Sequence, residues 1–301
     1  MKTYNKIIIA GGNGFIGQEL KKMFEPITEK IIILCRNPKN ENEVFWDGKT
    51  IGHWANELEN ADLLLNLAGK SVNCRYTEEN KKAILNSRVD TTNVLGEAIK
   101  LCKNAPKVWI NSASATIYRH SVDKNMDEYN GEFHDDFSVQ VCKKWEKTFN
   151  EFELPTTRKV ILRMSIVLGK NGGALPAYYN LAKFGLGGIQ GNGNQYFSWI
   201  HIQDLFNIIQ FTLQNKDVNG VINCAAPNPL TNKEVMHIIR KKAGVPFGLP
   251  ASKWMLEFGA FFLRTETELL LKSRKVVSKK LEELGFQFKF KTFKEAVDDL
   301  L

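Results

Sequence analysis

The chain has 301 residues, 43% of them hydrophobic and 25% charged, with 41 basic against 33 acidic residues and a formal charge of +8. A chain this apolar can offset its ordering entropy by burial, which excludes disorder. Its 22 glycines and 9 prolines, in no fixed period, exclude a collagen-like or low-complexity protein. The basic excess is interleaved with acids, as in Glu78-Glu79-Asn80-Lys81-Lys82 and Lys279-Lys280-Leu281-Glu282-Glu283. It therefore reads as solvated surface and not as a nucleic-acid footprint.

In chain order, Ile7-Ile8-Ile9-Ala10 is an apolar run without polar alternation, which predicts a strand buried on both faces. Glycines follow, and then a helical pattern from Phe15 to about Phe24, ended by Pro26. The buried-strand signature recurs at Ile31–Cys35, Ala61–Ala68 and Val108–Ser112, with a long helix from Glu78 to Cys102 between the last two. A helix from about Phe137 to Phe152 leads past Pro155 to a fifth strand at Val160–Met164. Strands alternating with helices at this spacing predict an α/β fold with a Rossmann-type, doubly wound parallel sheet.

Beyond Gly169 the texture changes. Gly172-Gly173 and the run Gly185-Leu186-Gly187-Gly188-Ile189-Gln190-Gly191-Asn192-Gly193 predict loops, and Val221–Cys224 one more strand. Thr231 with Glu234 three residues on predicts a capped helix to Ala243. The tail from Pro246 reads as helices with a short alternation, Phe286-Gln287-Phe288-Lys289-Phe290. The expected organisation is a nucleotide-binding domain over residues 1–165, its sheet completed by 195–225, and a smaller mixed substrate-side region over 166–301. A C-terminal helical module starts at about 245.

Cys35, Cys74, Cys102, Cys142 and Cys224 are isolated and odd in number, against a disulfide framework or a structural zinc site. The five histidines show no metal-ligand spacing, and no G-x-S-x-G elbow occurs. The N-terminus runs straight into the first strand without a leader, and the apolar stretch Trp254–Leu263 is too short to span a bilayer. The expectation is a cytoplasmic protein with a small-molecule substrate and neither nucleic acid nor membrane as partner. Oligomeric state stays open, a homodimer included.

The strongest motif is Gly11-Gly12-Asn13-Gly14-Phe15-Ile16-Gly17, between a buried strand and a helix. Gly11 permits the tight turn, Gly14 the approach of a pyrophosphate, and Gly17 close packing of helix on strand. The helix N-terminus at Phe15 and Ile16 then offers free N–H groups to the anion. The second strand ends in Leu34-Cys35-Arg36-Asn37-Pro38-Lys39. An NAD-binding chain places an acid there for the ribose hydroxyls, whereas Arg36, helped by Lys39, suits a 2′-phosphate. The cofactor expected is NADP.

The glycine loop, with Asn66-Leu67-Ala68-Gly69 and Ser112-Ala113-Ser114-Ala115-Thr116-Ile117-Tyr118, resembles the extended short-chain dehydrogenase/reductases, which include nucleotide-sugar epimerases. Asn86-Ser87-Arg88-Val89, Val141-Cys142-Lys143-Lys144-Trp145-Glu146 and Phe197-Ser198-Trp199-Ile200-His201-Ile202-Gln203-Asp204 resemble one atypical, epimerase-like branch of unknown substrate. The segment from about Val245 to Leu301 looks like that branch's own terminal module. The resemblance implies Ala68 and Gly69 beside the adenosine or ribose, and a catalytic Ser at Ser114. It also implies a Tyr-x-x-x-Lys unit on the following helix, where the Tyr position falls on Ser138 and the Lys position on Cys142. Both expected residues are absent, and an Asn that supports the relay maps near Arg88.

The candidates for the altered relay are then Cys142 as a proton-transferring thiol, with Arg88 favouring its thiolate, against Cys142 as an apolar filler. Ser114, at a strand end, is placed to polarise a substrate oxygen, against a purely local hydrogen bond. Tyr118 is either a stand-in acid or a packing aromatic. The glycine-rich segment to Gln195 and the Phe197–Asp204 string are expected to border the substrate cleft, as a lid or a close backbone approach, with Trp199 as its wall or as core. His201 and Asp204 read as the start of a helix. The leading expectation is an NADP(H)-binding oxidoreductase acting on a small carbonyl or alcohol. Its alternatives are a nucleotide-sugar epimerase and a non-catalytic NADP-binding sensor.

Overall fold

The computed structural model describes residues 3–262, 266 and 271–301. Strand β1 (Tyr4–Ala10) is followed by helix α1 (Phe15–Phe24), β2 (Thr28–Cys35), β3 (Glu43–Phe45) and β4 (Leu63–Asn66). Next come α2 (Glu78–Leu101), β5 (Val108–Ser114), α3 (Phe137–Asn150), β6 (Arg158–Met164), β7 (Ile166–Gly169) and β8 (Gly172–Gly173). Then follow α4 (Leu175–Lys183), β9 (Tyr196–Phe197), β10 (Trp199–His201), α5 (Ile202–Gln214), β11 (Gly220–Cys224), β12 (Leu230–Thr231) and α6 (Asn232–Ala243). Helices α7 (Lys253–Phe262), α8 (Lys279–Glu283) and α9 (Phe293–Leu300) complete the order, and the expected helical tail at 263–265 and 267–270 lies outside the described residues.

The main sheet is seven-stranded and parallel throughout, in the order β11-β6-β5-β4-β1-β2-β3. It is the Rossmann-type sheet the strand pattern predicts. Period-two geometry sorts its side chains. Ile7 and Ile9 enter one core with Leu20, Phe24 and Phe206, and Ile8 and Ala10 enter another with Leu95, Trp109 and Phe149. The order reverses at β1, which pairs with β2 on one side and β4 on the other. In open α/β sheets the ligand crevice lies at the carboxyl ends of strands at such a switch point.

Three elements differ from expectation. Gly172-Gly173, expected as a loop, form β8, because they pair antiparallel with Leu168-Gly169 of β7. Strand β3 is only three residues long and half-exposed, too short and too wet for a hydrophobic pattern. The Phe286–Phe290 alternation forms no strand, because a carboxylate takes the place of a neighbouring ladder. Asp204, fully buried in α5, accepts from the N–H groups of Lys289 (2.8 Å) and Phe290 (2.9 Å). Beside it, His201 caps α5 by accepting from Gln203 N–H at 3.0 Å, and its ring stacks on Phe290 at 3.8 Å. The capping box of α6 is present, with Thr231 and Glu234 bonded reciprocally. Two small sheets, β10-β7-β8 and β12-β9, lie beside the main one.

Candidate active site

A cavity of about 990 Å³ opens at the carboxyl ends of β1, β2 and β4. Gly11, Gly14, Arg36, Ala68 and Gly69 line it, with residues that periodicity did not single out, among them Trp46, Asp47, Lys49, Asn86 and Ser87. The local physics fits a dinucleotide phosphate. Gly11 sits at φ +72°, and a Cβ there would come within 2.7 Å of Ala68 Cα. A Cβ on Gly17 would lie 2.5 Å from Gly12 Cα, so α1 packs directly onto the turn. A Cβ on Gly14 would meet nothing within 4 Å, which makes that position the open floor of the cradle. Gly14 is also the N-cap of α1, with no side-chain cap and no acid in the first turn, leaving its amides and dipole to an anion.

The opposite lip is held from the core. Asn66, fully buried, donates to Asn111 Oδ1 at 2.7 Å and accepts from Ala68 N–H at 3.1 Å. Thr92 donates into the same pair and receives Trp145 Nε1 at 2.9 Å, which joins β4, β5, α2 and α3. The backbone at Ala68-Gly69 is thereby set by buried hydrogen bonds, each costly to leave unmade.

Arg36 is exposed at the end of β2 and lines the cavity. The nearby carboxylate of Glu43 is turned onto the loop, where it accepts from Lys39 N–H (2.6 Å) and Asn40 Nδ2 (2.9 Å). Asp47 is likewise folded onto the N–H groups of Lys49 and Thr50. Lys39 does not line the cavity; Lys49, Lys70 and Lys82 do.

Not every candidate reaches the cavity wall. Phe15 is a wedge against Gly169, Gly172 and Gly173, and Ile16 packs on the core. Arg88 donates to the carbonyls of Lys70 and Ile84, both at 3.0 Å, stacks over Trp145 and backs Gly69. It supports the wall from behind.

The relay positions form a core. Cys142 is buried among Ala115, Ile117, Tyr118, Met126, Ala225 and Val276. Burial, and then the Glu146 carboxylate, push its thiol up to about 12, and the nearby Arg88 and Arg163 do not offset them. Desolvation therefore works against the thiolate reading of Cys142. Tyr118 is fully buried, accepts from Arg163 Nη1 at 2.8 Å and donates to Asn223 at 2.9 Å. Burial raises its pKa against the opposing pull of Arg163. Arg163 itself holds Glu146 through two bonds of 2.7 Å. Burial opposes the Arg163 charge, but that bidentate pair outweighs it and raises its pKa. Tyr118 is thus a buried network member, and neither it nor Cys142 lines this cavity or the second one described below.

A second cavity, of about 240 Å³, lies beyond the end of β5. Ser114, Thr116, Ser165, Tyr196, Lys272 and Arg274 are among its lining residues. Ser114 accepts from Thr116 N–H at 3.1 Å and donates to Thr116 Oγ1 at 2.9 Å, so it both caps the turn Ala115–Ile117 and orients a second hydroxyl. Gln195 to Ser198 form part of the wall, but the glycine run before them does not. Those glycines approach the chain itself, since Gly188 and Gly191 donate to Leu249 O (3.2 Å) and Ala251 O (2.8 Å). Trp199 is core, fully buried, with Nε1 on Asn228 O.

The five cysteines are free, and no metal-ligand cluster occurs among the described residues. Among them no helix is long and apolar enough to cross a membrane.

Residues 7–225 match the model of the NAD dependent epimerase/dehydratase family, and residues 251–300 match a domain of unknown function, DUF1731. The chain belongs to the NAD dependent epimerase/dehydratase family, and its architecture, with the terminal module, is that of an atypical extended short-chain dehydrogenase/reductase. It is 32% identical to epimerase family protein YfhF of Bacillus subtilis, over 98% of this chain and 97% of that one. It is 31% identical to an epimerase family protein of Staphylococcus aureus, over 100% of this chain and 99% of that one. The crystal structure of human epimerase family protein SDR39U1 with NADPH is 30% identical, with a TM-score of 0.88 over 98% of both chains.

Proposed function

We propose that the protein is an NADP(H)-binding oxidoreductase of the atypical extended short-chain type, acting on a small carbonyl or alcohol compound. The observation that carries the reading is Arg36, exposed on the cavity wall at the end of β2, where an NAD-selecting chain presents an acid. Its planar fork of donors matches a 2′-phosphate, and the neighbouring carboxylates are turned onto their own loops. That human SDR39U1 was solved with NADPH supports the same choice.

Gly11 and Gly14 admit the pyrophosphate, and the first amides of α1, at Phe15, Ile16 and Gly17, receive its charge. Ala68 and Gly69, held by Asn66 and backed by Arg88, take the adenosine or ribose edge. A bound NADPH supplies the hydride, and the chain supplies binding, orientation and a hydrogen-bond donor. Ser114 and Thr116 are hydrogen-bonded at 2.9 Å, and with Ser114 also accepting from Thr116 N–H the Thr116 hydroxyl is placed to donate to a substrate oxygen. Ser114 acts by orienting it.

Incubation of the purified protein with NADPH and a panel of carbonyl compounds, followed by NADPH absorbance, tests the reading. Turnover that falls in Ser114→Ala with NADPH affinity intact is the expected result; an unchanged rate removes Ser114 from the mechanism. The burial of Cys142 and Tyr118 favours one second reading, a protein that binds the dinucleotide without turning it over. Tight NADPH binding with no turnover across the panel selects that reading. Copurified cofactor that survives dialysis selects an epimerase instead.

A further inference from the structure

We infer that the second cavity selects a small compound with two oxygen functions, such as a hydroxyketone or a diketone, one oxygen reacting and the other held by the Tyr178 hydroxyl. The inference rests on the oxidoreductase reading, and it names the substrate class and one specificity-determining residue for it.

Tyr178 stands in the first half of α4, where its N–H donates to Ala174 O at 3.2 Å. Its ring packs in one core with Ala182, Trp199 and Met236 and meets Phe197 edge-on, the centroids 5.9 Å apart. The direction of its hydroxyl is therefore set by apolar packing and not by a polar partner. The residue is 8% exposed and lines the second cavity. Among the described residues its hydroxyl has no hydrogen-bond partner, yet the oxygen keeps accessible surface. A hydroxyl taken out of bulk water and given no partner by the protein is costly, and what enters the cavity is what can satisfy it. Burial pushes the Tyr178 phenol up to about 12, so it stays protonated and donates.

The other hydroxyls of the wall are placed differently. Ser114 and Thr116 are bonded to each other at 2.9 Å. Ser165 donates to Cys224 O at 2.7 Å, and Ser198 to Arg274 O at 2.6 Å. Tyr196 is only half-buried, with its ring under Lys275 Nζ at 4.6 Å. Among the described lining hydroxyls, Tyr178 differs from all of these in being buried, fixed in direction and unbonded. The volume of about 240 Å³ falls below the roughly 300–1,000 Å³ of sites for drug-sized ligands and holds a compound of a few carbons. Thr116 enters this space from the end of β5 and Tyr178 from α4, so one small compound meets both, with Val72, Met164, Ile166 and Phe197 against its carbon skeleton. A compound with one oxygen would displace water from Tyr178 and give nothing back. Sites that hydrogen-bond a substrate oxygen discriminate against the analogue that lacks it for this reason.

The test compares kcat/KM, read as NADPH absorbance, for short monoketones and for the hydroxyketone and diketone of the same skeleton. The bifunctional member of each pair is expected to be preferred, and Tyr178→Phe is expected to cut that preference about fivefold or more, as for loss of one neutral hydrogen bond. Intrinsic reactivity within a pair is the same for both proteins, so the change in preference isolates the hydroxyl. Thr116→Val, which touches the reacting oxygen, is expected to lower both members alike. Tyr178→Phe keeps the ring and removes a hydroxyl that the fold does not bond, so it is expected to melt at the temperature of the native chain or above. No preference in the native chain, a preference unchanged in Tyr178→Phe, or a loss shared equally by both members overturns the inference. A clear fall in melting temperature also overturns it, by giving the hydroxyl a structural bond. The same pairs are titrated into the NADPH-loaded protein by ligand-observed NMR. A Tyr178-dependent preference in binding without turnover keeps the substrate class and refutes the oxidoreductase reading, and no binding of any pair overturns the substrate class.

Discussion

Two glycine-rich segments of this chain look alike in sequence and do opposite work. In Gly11–Gly17 the glycines bring backbone against backbone at Gly11 and Gly17 and leave Gly14 facing open space. In Gly185–Gly193 the room is already taken by the protein. A Cβ on Gly188 would lie 2.5 Å from Pro250 N, and Leu249 N–H donates back to Gly185 O at 2.8 Å. The first segment leaves open the place that the proposed cofactor would take, and the second is a seat for residues 247–251. Glycine richness announces a close approach of backbone; it does not announce what approaches.

The contrast can be broken most severely at Gly17. Gly17→Val drives side-chain carbons into the Gly12 backbone and should cost about 3 kcal/mol or more of stability by denaturant unfolding. A smaller loss would mean that α1 can move off its turn. Gly188→Ala should cost about 1–3 kcal/mol, felt locally. Hydrogen exchange should quicken at Leu249 and Ala251 while NADPH affinity stays unchanged. A parallel loss of NADPH binding would erase the distinction between the two segments.

Arg36→Ala sharpens the cradle. NADPH affinity should fall about tenfold, as for loss of a charge-assisted hydrogen bond, with NADH affinity hardly changed. Equal losses would remove the 2′-phosphate assignment. Gly14→Ala separates folding from binding. Stability should shift by no more than ~1 kcal/mol, the scale of an N-cap change, while NADPH affinity drops about tenfold. Retained affinity would show that the open floor is not where phosphate lies.

The mildest test concerns the module that the second segment seats. Burial pushes His201 down to about 4, against the pull of Asp299. The unfolded chain takes up the proton near the ordinary value of about 6.5. Stability is therefore complete above about 6.5 and declines as pH falls toward 4. His201→Asn, which keeps an N-cap acceptor, should flatten that decline in thermal melts across the same window.

Legibility in the sequence followed range and length. Helix α1 reads directly because Phe15 to Phe24 repeats at helical spacing between glycines and proline. The Thr231–Glu234 box reads directly because both partners lie within one turn. Trp46, Asp47 and Lys49 do not read, because they follow a strand of three residues with no periodic signal. Thr116 stood inside a string noted for its neighbours Ser114 and Tyr118. Its importance emerges only when Ser114 is seen to donate to it. Lys272 and Arg274 could not be paired with Ser114 from sequence, since more than 150 residues separate them and no spacing rule reaches that far.

Local patterns by themselves determined the buried parallel strands, the phosphate turn and the arginine after β2, since each depends on residues a few positions apart. Tertiary structure decided which side chains face a cavity. Cys142 and Tyr118 have the right chemistry in the right stretch, yet both are sealed in a core, and desolvation pushes the Cys142 thiol up to about 12. A side chain's chemistry follows from its type, but its charge and its access to solvent follow from what packs against it.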